Sequence, residues 1–113
     1  MKVIGSANEN SEIIENFESV GARSLRLAAG EGEAHIYSLH FEASGQIGKH
    51  VAGFGQLFLV VEGSGWVIGG DGERQELATG DAAFIARGES HSKGSELGMK
   101  AIMVQVRDLE PAG

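Results

Sequence analysis

Cysteine is absent from the chain, which removes disulfides, thiolate metal sites and cysteine nucleophiles from consideration. Proline occurs once, at Pro111 near the C-terminus. Basic residues are few: 9 Lys and Arg stand against 16 Asp and Glu, for a formal net charge of −7. Such a chain lacks the clustered cations that neutralise phosphates. No nucleic-acid partner is expected, and no anionic membrane surface. Apolar runs fall far short of the roughly 20 residues of a membrane span. The opening MKVIGSANENSEIIENF has no apolar core of a secretory signal, so a cytoplasmic location is expected. Walker-type and dinucleotide-binding glycine patterns are missing, and no serine lies in a G-x-S-x-G turn.

What is abundant is glycine, with 18 in 113 residues. That density disfavours long helices and favours tight turns. The length suits one domain, residues 1–113, with one modest core. Asn10 to Glu18 is the best helix candidate, with Ile13, Ile14 and Phe17 as its apolar positions, and it reads equally as a strand. From Ala22 onward the pattern is strand, turn, strand. SLRLAA (24–29) and AHIYSLHFEA (34–43) alternate, and QLFLVVEG (56–63), GWVIGG (65–70), ERQELA (73–78), AAFIA (82–86) and MKAIMVQV (99–106) follow. Asp71-Gly72 and Gly80-Asp81 mark turns. Short strands at such spacing indicate an all-β sandwich or barrel. Closure into a barrel would also remove exposed sheet edges. Phe54, Phe58, Trp66, Phe84 and Met103 are the expected core.

His50, Ala52, Phe54 and Gln56 share a face if that stretch is extended. His91 lies 41 positions after His50, and several turns between them allow the two to meet inside a small barrel. Imidazole nitrogens ligate first-row divalent metals well, and the Gln56 amide oxygen is a weaker, neutral third donor.

Two spaced segments carry a resemblance. The first is Gly45-QIGK-His50-V-Ala52-GFG-Gln56-LFLVVE-Gly63; the second is Gly80-Asp81-AAFI-Ala86-R-Gly88-ES-His91. Together they resemble the two motifs of the cupin superfamily, most clearly over residues 45–95. The resemblance implies an all-β, double-stranded β-helix (jelly-roll) barrel. It also implies a divalent transition metal (Ni, Zn, Mn, Fe or Cu) held at His50, Gln56 and His91. Ala52 stands where the pattern has a second histidine, Gln56 where it has a glutamate, and Ala86 where it has a proline. A homodimer paired by strand addition, with the N-terminal segment as the natural contributor, is a further implication.

A His₂Gln set carries no charge to offset a divalent ion, and burying uncompensated charge costs several kcal/mol. A ligand carboxylate would offset it. Three readings follow. The barrel is a metal-dependent enzyme such as a dioxygenase or isomerase, or a metal-free module that holds a small, possibly anionic molecule through His50, Gln56 and His91, or a structural barrel with a degenerate site. His35 and His40 fall on opposite faces of one strand, and His40 is the candidate substitute for the missing ligand at Ala52. Lys49, Glu62, Arg87 and Lys93 are expected to be solvated.

Overall fold

The computed structural model describes residues 1–6 and 10–112. These form eleven strands and no helix: β1 Lys2–Ile4, β2 Glu12–Ile13, β3 Arg23–Ser24, β4 Ala28–Phe41, β5 Gln46–Val51, β6 Gly55–Gly63, β7 Gly65–Ile68, β8 Arg74–Leu77, β9 Ala82–Ile85, β10 Ser90–Gly94 and β11 Met99–Pro111. A five-stranded sheet runs β1-β9-β6-β11-β4, a four-stranded sheet β5-β10-β7-β8, and β2-β3 form a small hairpin. All pairings are antiparallel. The fold is an all-β jelly roll.

The larger sheet is covered on both faces, which explains why β6 reads as a nearly continuous apolar run. Its inner face contributes Phe41, Phe58, Val60, Ile85 and Met103 to the main core, where they meet Val67 and Leu77 of the smaller sheet. Its outer face buries Ile4, Leu57, Ala82 and Phe84 beneath Leu25, Leu27 and Leu109. Each fully buried side chain of this size stabilises the fold by about 1.5–3 kcal/mol.

Several expectations change. Asn10 to Glu18 supplies only β2, because Phe17 and Glu18 turn the chain with φ of 60° and 55°. SLRLAA is not one strand; Ser24 ends β3 and Ala28 begins β4. The last strand continues to Pro111, since β4 pairs with it along its whole length. Closure is incomplete: β4 and β1 remain edges of one sheet, β5 and β8 of the other. On β4 the edge carries exposed Glu31 and Glu33 and a register shift opposite Val106 and Asp108, features that discourage edge-to-edge pairing. Among the described residues, no helix is long and apolar enough to cross a membrane.

Candidate functional site

Strand β10 positions the first side chains. Pairing sets His91 opposite His50 and Lys93 opposite Ile47. The interval of two residues on β10 thus faces three on β5, a bulge at Gly48–Lys49. The extra residue lets His50 and Ile47 share the inner face although they are three apart, while His91 and Lys93 share it by ordinary alternation. Within the bulge, the Gly48 carbonyl accepts a hydrogen bond from His50 Nδ1 at 2.8 Å. The His50 and His91 rings lie with centroids 4.4 Å apart, tilted by 56°.

His91 is held by the turn before it. Its Nδ1 lies 3.3 Å from the Glu89 carbonyl, which can only accept, so the proton sits on Nδ1 and Nε2 faces inward as an acceptor. The Glu89 carboxylate in turn accepts from the Gly70 and Ala86 amides at 2.9 and 3.1 Å and from the Met1 amine at 2.8 Å. Burial raises its pKa, but these donors outweigh burial and hold it below the usual carboxylate value.

Lys93 is the centre of the site. Its side chain is 1% exposed. The ammonium meets three neutral acceptors, Gln56 Oε1 at 3.0 Å, His91 Nε2 at 3.4 Å and Met103 Sδ at 3.6 Å, and lies 5.0 Å from the centroid of the Phe58 ring. Three donors meet three acceptors. No carboxylate pairs with it among the described residues. Burial pushes its pKa down to about 8, so the amine is mostly charged at neutral pH. Burial, and then the Lys93 charge, push His91 down to about 4, which keeps the imidazole neutral.

This arrangement tests the implied metal. Among the described residues no three His, Asp or Glu side chains converge. Two of the three implied donors, Gln56 Oε1 and His91 Nε2, already accept from a protonated amine. Bringing a divalent ion to about 2.1 Å of both atoms would require expelling the ammonium or removing its proton, against like-charge repulsion in a poorly solvated interior. The residues present fit a fixed monovalent cation, Lys93 itself, and not a divalent ion.

Above Lys93 a row of side chains leads outward along the larger sheet. Register pairs His35 with Gln105 and Gln105 with Gln56, one row from the Tyr37, Met103 and Phe58 row. Half-buried Gln105 places its amide nitrogen 3.9 Å from Met103 Sδ, the same sulfur that faces the Lys93 ammonium. At the rim, the His35 ring stacks near Phe54, with centroids 6.0 Å apart, and near Tyr37 at 6.4 Å. Phe54 belongs to the loop that carries the chain from β5 to β6. Exposure rises from about 1–2% at Gln56, His91 and Lys93 to 45% at Tyr37, which defines a mouth.

Compared with known proteins, residues 17–112 match the family model described as Cupin. The chain belongs to the cupin family. Solved structures agree on the fold. This cupin is 10% identical to an RmlC-like cupin family protein with a double-stranded β-helix fold from Methanocaldococcus jannaschii, with a TM-score of 0.63 over 92% of this chain and 94% of that one. A cupin superfamily protein from Desulfitobacterium hafniense is 15% identical, with a TM-score of 0.63 over 79% and 84%. A cupin-like protein from Thermotoga maritima is 21% identical, with a TM-score of 0.62 over 71% and 65%. No curated protein sequence matches.

The residues singled out from the sequence of this cupin fare differently. Gln56 and His91 meet at Lys93, whereas exposed His50, of that set, touches only the His91 ring. The stretch from His50 to Gln56 is not one extended strand, because β5 ends at Val51 and Ala52 turns inward. Ala52 is buried among core residues, its amide donating to the Glu89 carbonyl at 3.0 Å. His40 pairs in register with Lys100 and Glu62 on the opposite face to buried Phe41, so it does not reach the site. Lys49, Glu62 and Arg87 are exposed as expected. Lys93 is not solvated; pairing of β10 on both sides turns it inward with His91. Phe54 and Trp66 are half-buried, Phe54 at the rim and Trp66 outside beneath the Arg74 guanidinium at 5.1 Å. Gln105 and His35 were legible only as period-two positions with Met103 and Tyr37.

Proposed function

We propose that this cupin is a metal-free binding barrel in which the Lys93 ammonium supplies the fixed positive charge, and that its ligand is a small carboxylate. One observation carries this reading. Two good donors, Lys93 Nζ and the Gln105 amide, converge on Met103 Sδ at 3.6 and 3.9 Å, and a thioether is a weak acceptor. A ligand carboxylate oxygen that displaced the thioether would accept from both donors and supply the counter-charge that the interior lacks. Hydrogen bonds to a charged acceptor stabilise more than those to a neutral one, by about 1 kcal/mol each. The N–H edge of His50 is committed to Gly48 O, so Nε2 is the atom that remains to shape the mouth. Metal-dependent oxygenation or isomerisation finds less support, since the donors it would use hold Lys93.

The test is calorimetric titration of the purified, untagged protein with acetate, propionate and benzoate, against acetamide and benzamide, alongside metal analysis. Carboxylates are expected to bind about tenfold or more tightly than the matching amides. Lys93→Met, similar in length but uncharged, is expected to abolish the difference. Stoichiometric Ni, Zn, Mn, Fe or Cu that is lost in His91→Ala would overturn the metal-free reading. Equal affinity for acids and amides would overturn the anionic one.

A further inference from the structure

Resting on that reading, we infer that the ligand is a planar conjugated acid, an aromatic or heteroaromatic carboxylate, whose ring lies against a wall formed by His35 and Phe54. The wall is built, not incidental. His35 stands between Tyr37 and Phe54 with ring centroids 6.4 and 6.0 Å apart and interplanar angles of 26° and 17°. The His35 ring thus lies within 26° of the plane of each neighbour, although two of the rings come from β4 and the third from the loop before β6. The Arg107 guanidinium lies 6.0 Å from the Phe54 centroid and pairs with the Glu33 carboxylate at 3.2 Å. The His35 Nε2 lies 2.6 Å from the same carboxylate. Glu33 thus holds both His35 and Arg107 in place, and its own charge is engaged by them instead of facing an incoming anion.

The wall connects to the cation through contacts. Phe54 stacks near His35, His35 is the cross-strand partner of Gln105, and Gln105 shares Met103 Sδ with Lys93. Along the sheet, His35, Gln105 and Gln56 lie in one cross-strand row, so the wall and the cation share one face. Burying flat, half-exposed rings against a flat ligand adds stacking to the area term, whereas a puckered ring of the same carbon count adds area alone. Shape discrimination is therefore the property that the stacked rings favour.

Benzoate and cyclohexanecarboxylate, which share a carboxylate and a six-carbon ring, make the comparison, with acetate as the reference for the anion alone. Calorimetric titration of the intact protein is expected to show benzoate binding about tenfold more tightly than cyclohexanecarboxylate. Phe54→Leu is expected to bring that ratio near one. His35→Ala, on the exposed edge strand, gives a second variant should Phe54→Leu fold poorly, with the same loss of ratio. Equal binding of the two ring acids to the wild type overturns the planar-ligand inference and leaves the carboxylate reading standing. Absence of binding by all three acids overturns the carboxylate reading itself.

Discussion

A single lysine changes the chemistry that the surrounding fold can support. Lys93 brings a cation, mostly charged at neutral pH, to donors that would otherwise be open, and its neighbour His91 is kept neutral by burial and by that charge. The consequence is measurable as stability. His91 has a folded pKa of about 4, below the ordinary 6.5, so the stability it contributes is fully present above pH 6.5 and is lost as pH falls through about 4. Between pH 7 and 5 the unfolded chain takes up the proton and the folded protein does not. A loss on the order of 2 kcal/mol is expected over that interval. Urea unfolding at pH 7 and 5 checks it, with His91→Gln as the reference. The depressed carboxyls Glu33 and Glu89 contribute their own acid sensitivity at lower pH, so the difference between wild type and variant above pH 5 belongs to His91. An equal loss in both proteins would remove His91 from this role.

At the scale of strands, close approach decides which glycines matter. A Cβ on Gly65 at the start of β7 would lie 2.6 Å from the Gly94 carbonyl oxygen and 2.5 Å from Met99 Sδ. The sulfur can move, but the carbonyl belongs to β10, the strand that carries His91 and Lys93. Gly65→Ala is therefore expected to destabilise the protein by about 2 kcal/mol or more, read as a lowered urea midpoint. Gly48, in the β5 bulge, has nothing within 4 Å of its hypothetical Cβ. Gly48→Ala is expected to stay within about 0.5 kcal/mol of wild type. The same strands show what was legible in the sequence. Period-two alternation and Asp-Gly turns reveal an all-β sandwich or barrel, because those signals arise from one chain segment at a time, and the resemblance over residues 45–95 adds the jelly roll. The spacing from His50 to His91 allows those two rings to meet, and they do, with centroids 4.4 Å apart. The Gly48–Lys49 bulge was not legible, since it exists only in the register between β5 and β10. Lys93 was hidden for a related reason: in SHSKG the polar residues look like a turn, and only pairing on both sides of β10 shows that one of them points into the core.

For the whole molecule, the net charge of −7 and the buried ammonium act on an anionic ligand with opposite signs. Their ranges differ. The surface carboxylates are spread over a molecule 45 × 32 × 23 Å in extent, so most lie more than a Debye length, about 8 Å at physiological ionic strength, from the mouth. The Lys93 charge lies within contact distance of the proposed carboxylate position, where little solvent intervenes. Added salt therefore screens the repulsion more than the attraction. Benzoate affinity is expected to hold or to rise by about two- to threefold when ionic strength is raised from 10 to 200 mM. That behaviour is opposite to the loss shown by ligands held through exposed surface cations. Titrations in sodium chloride, with the ligand's own ionic contribution matched, measure it. A steep fall in affinity with salt would mean that exposed side chains, Arg107 or Lys49 among them, hold the anion and that Lys93 does not.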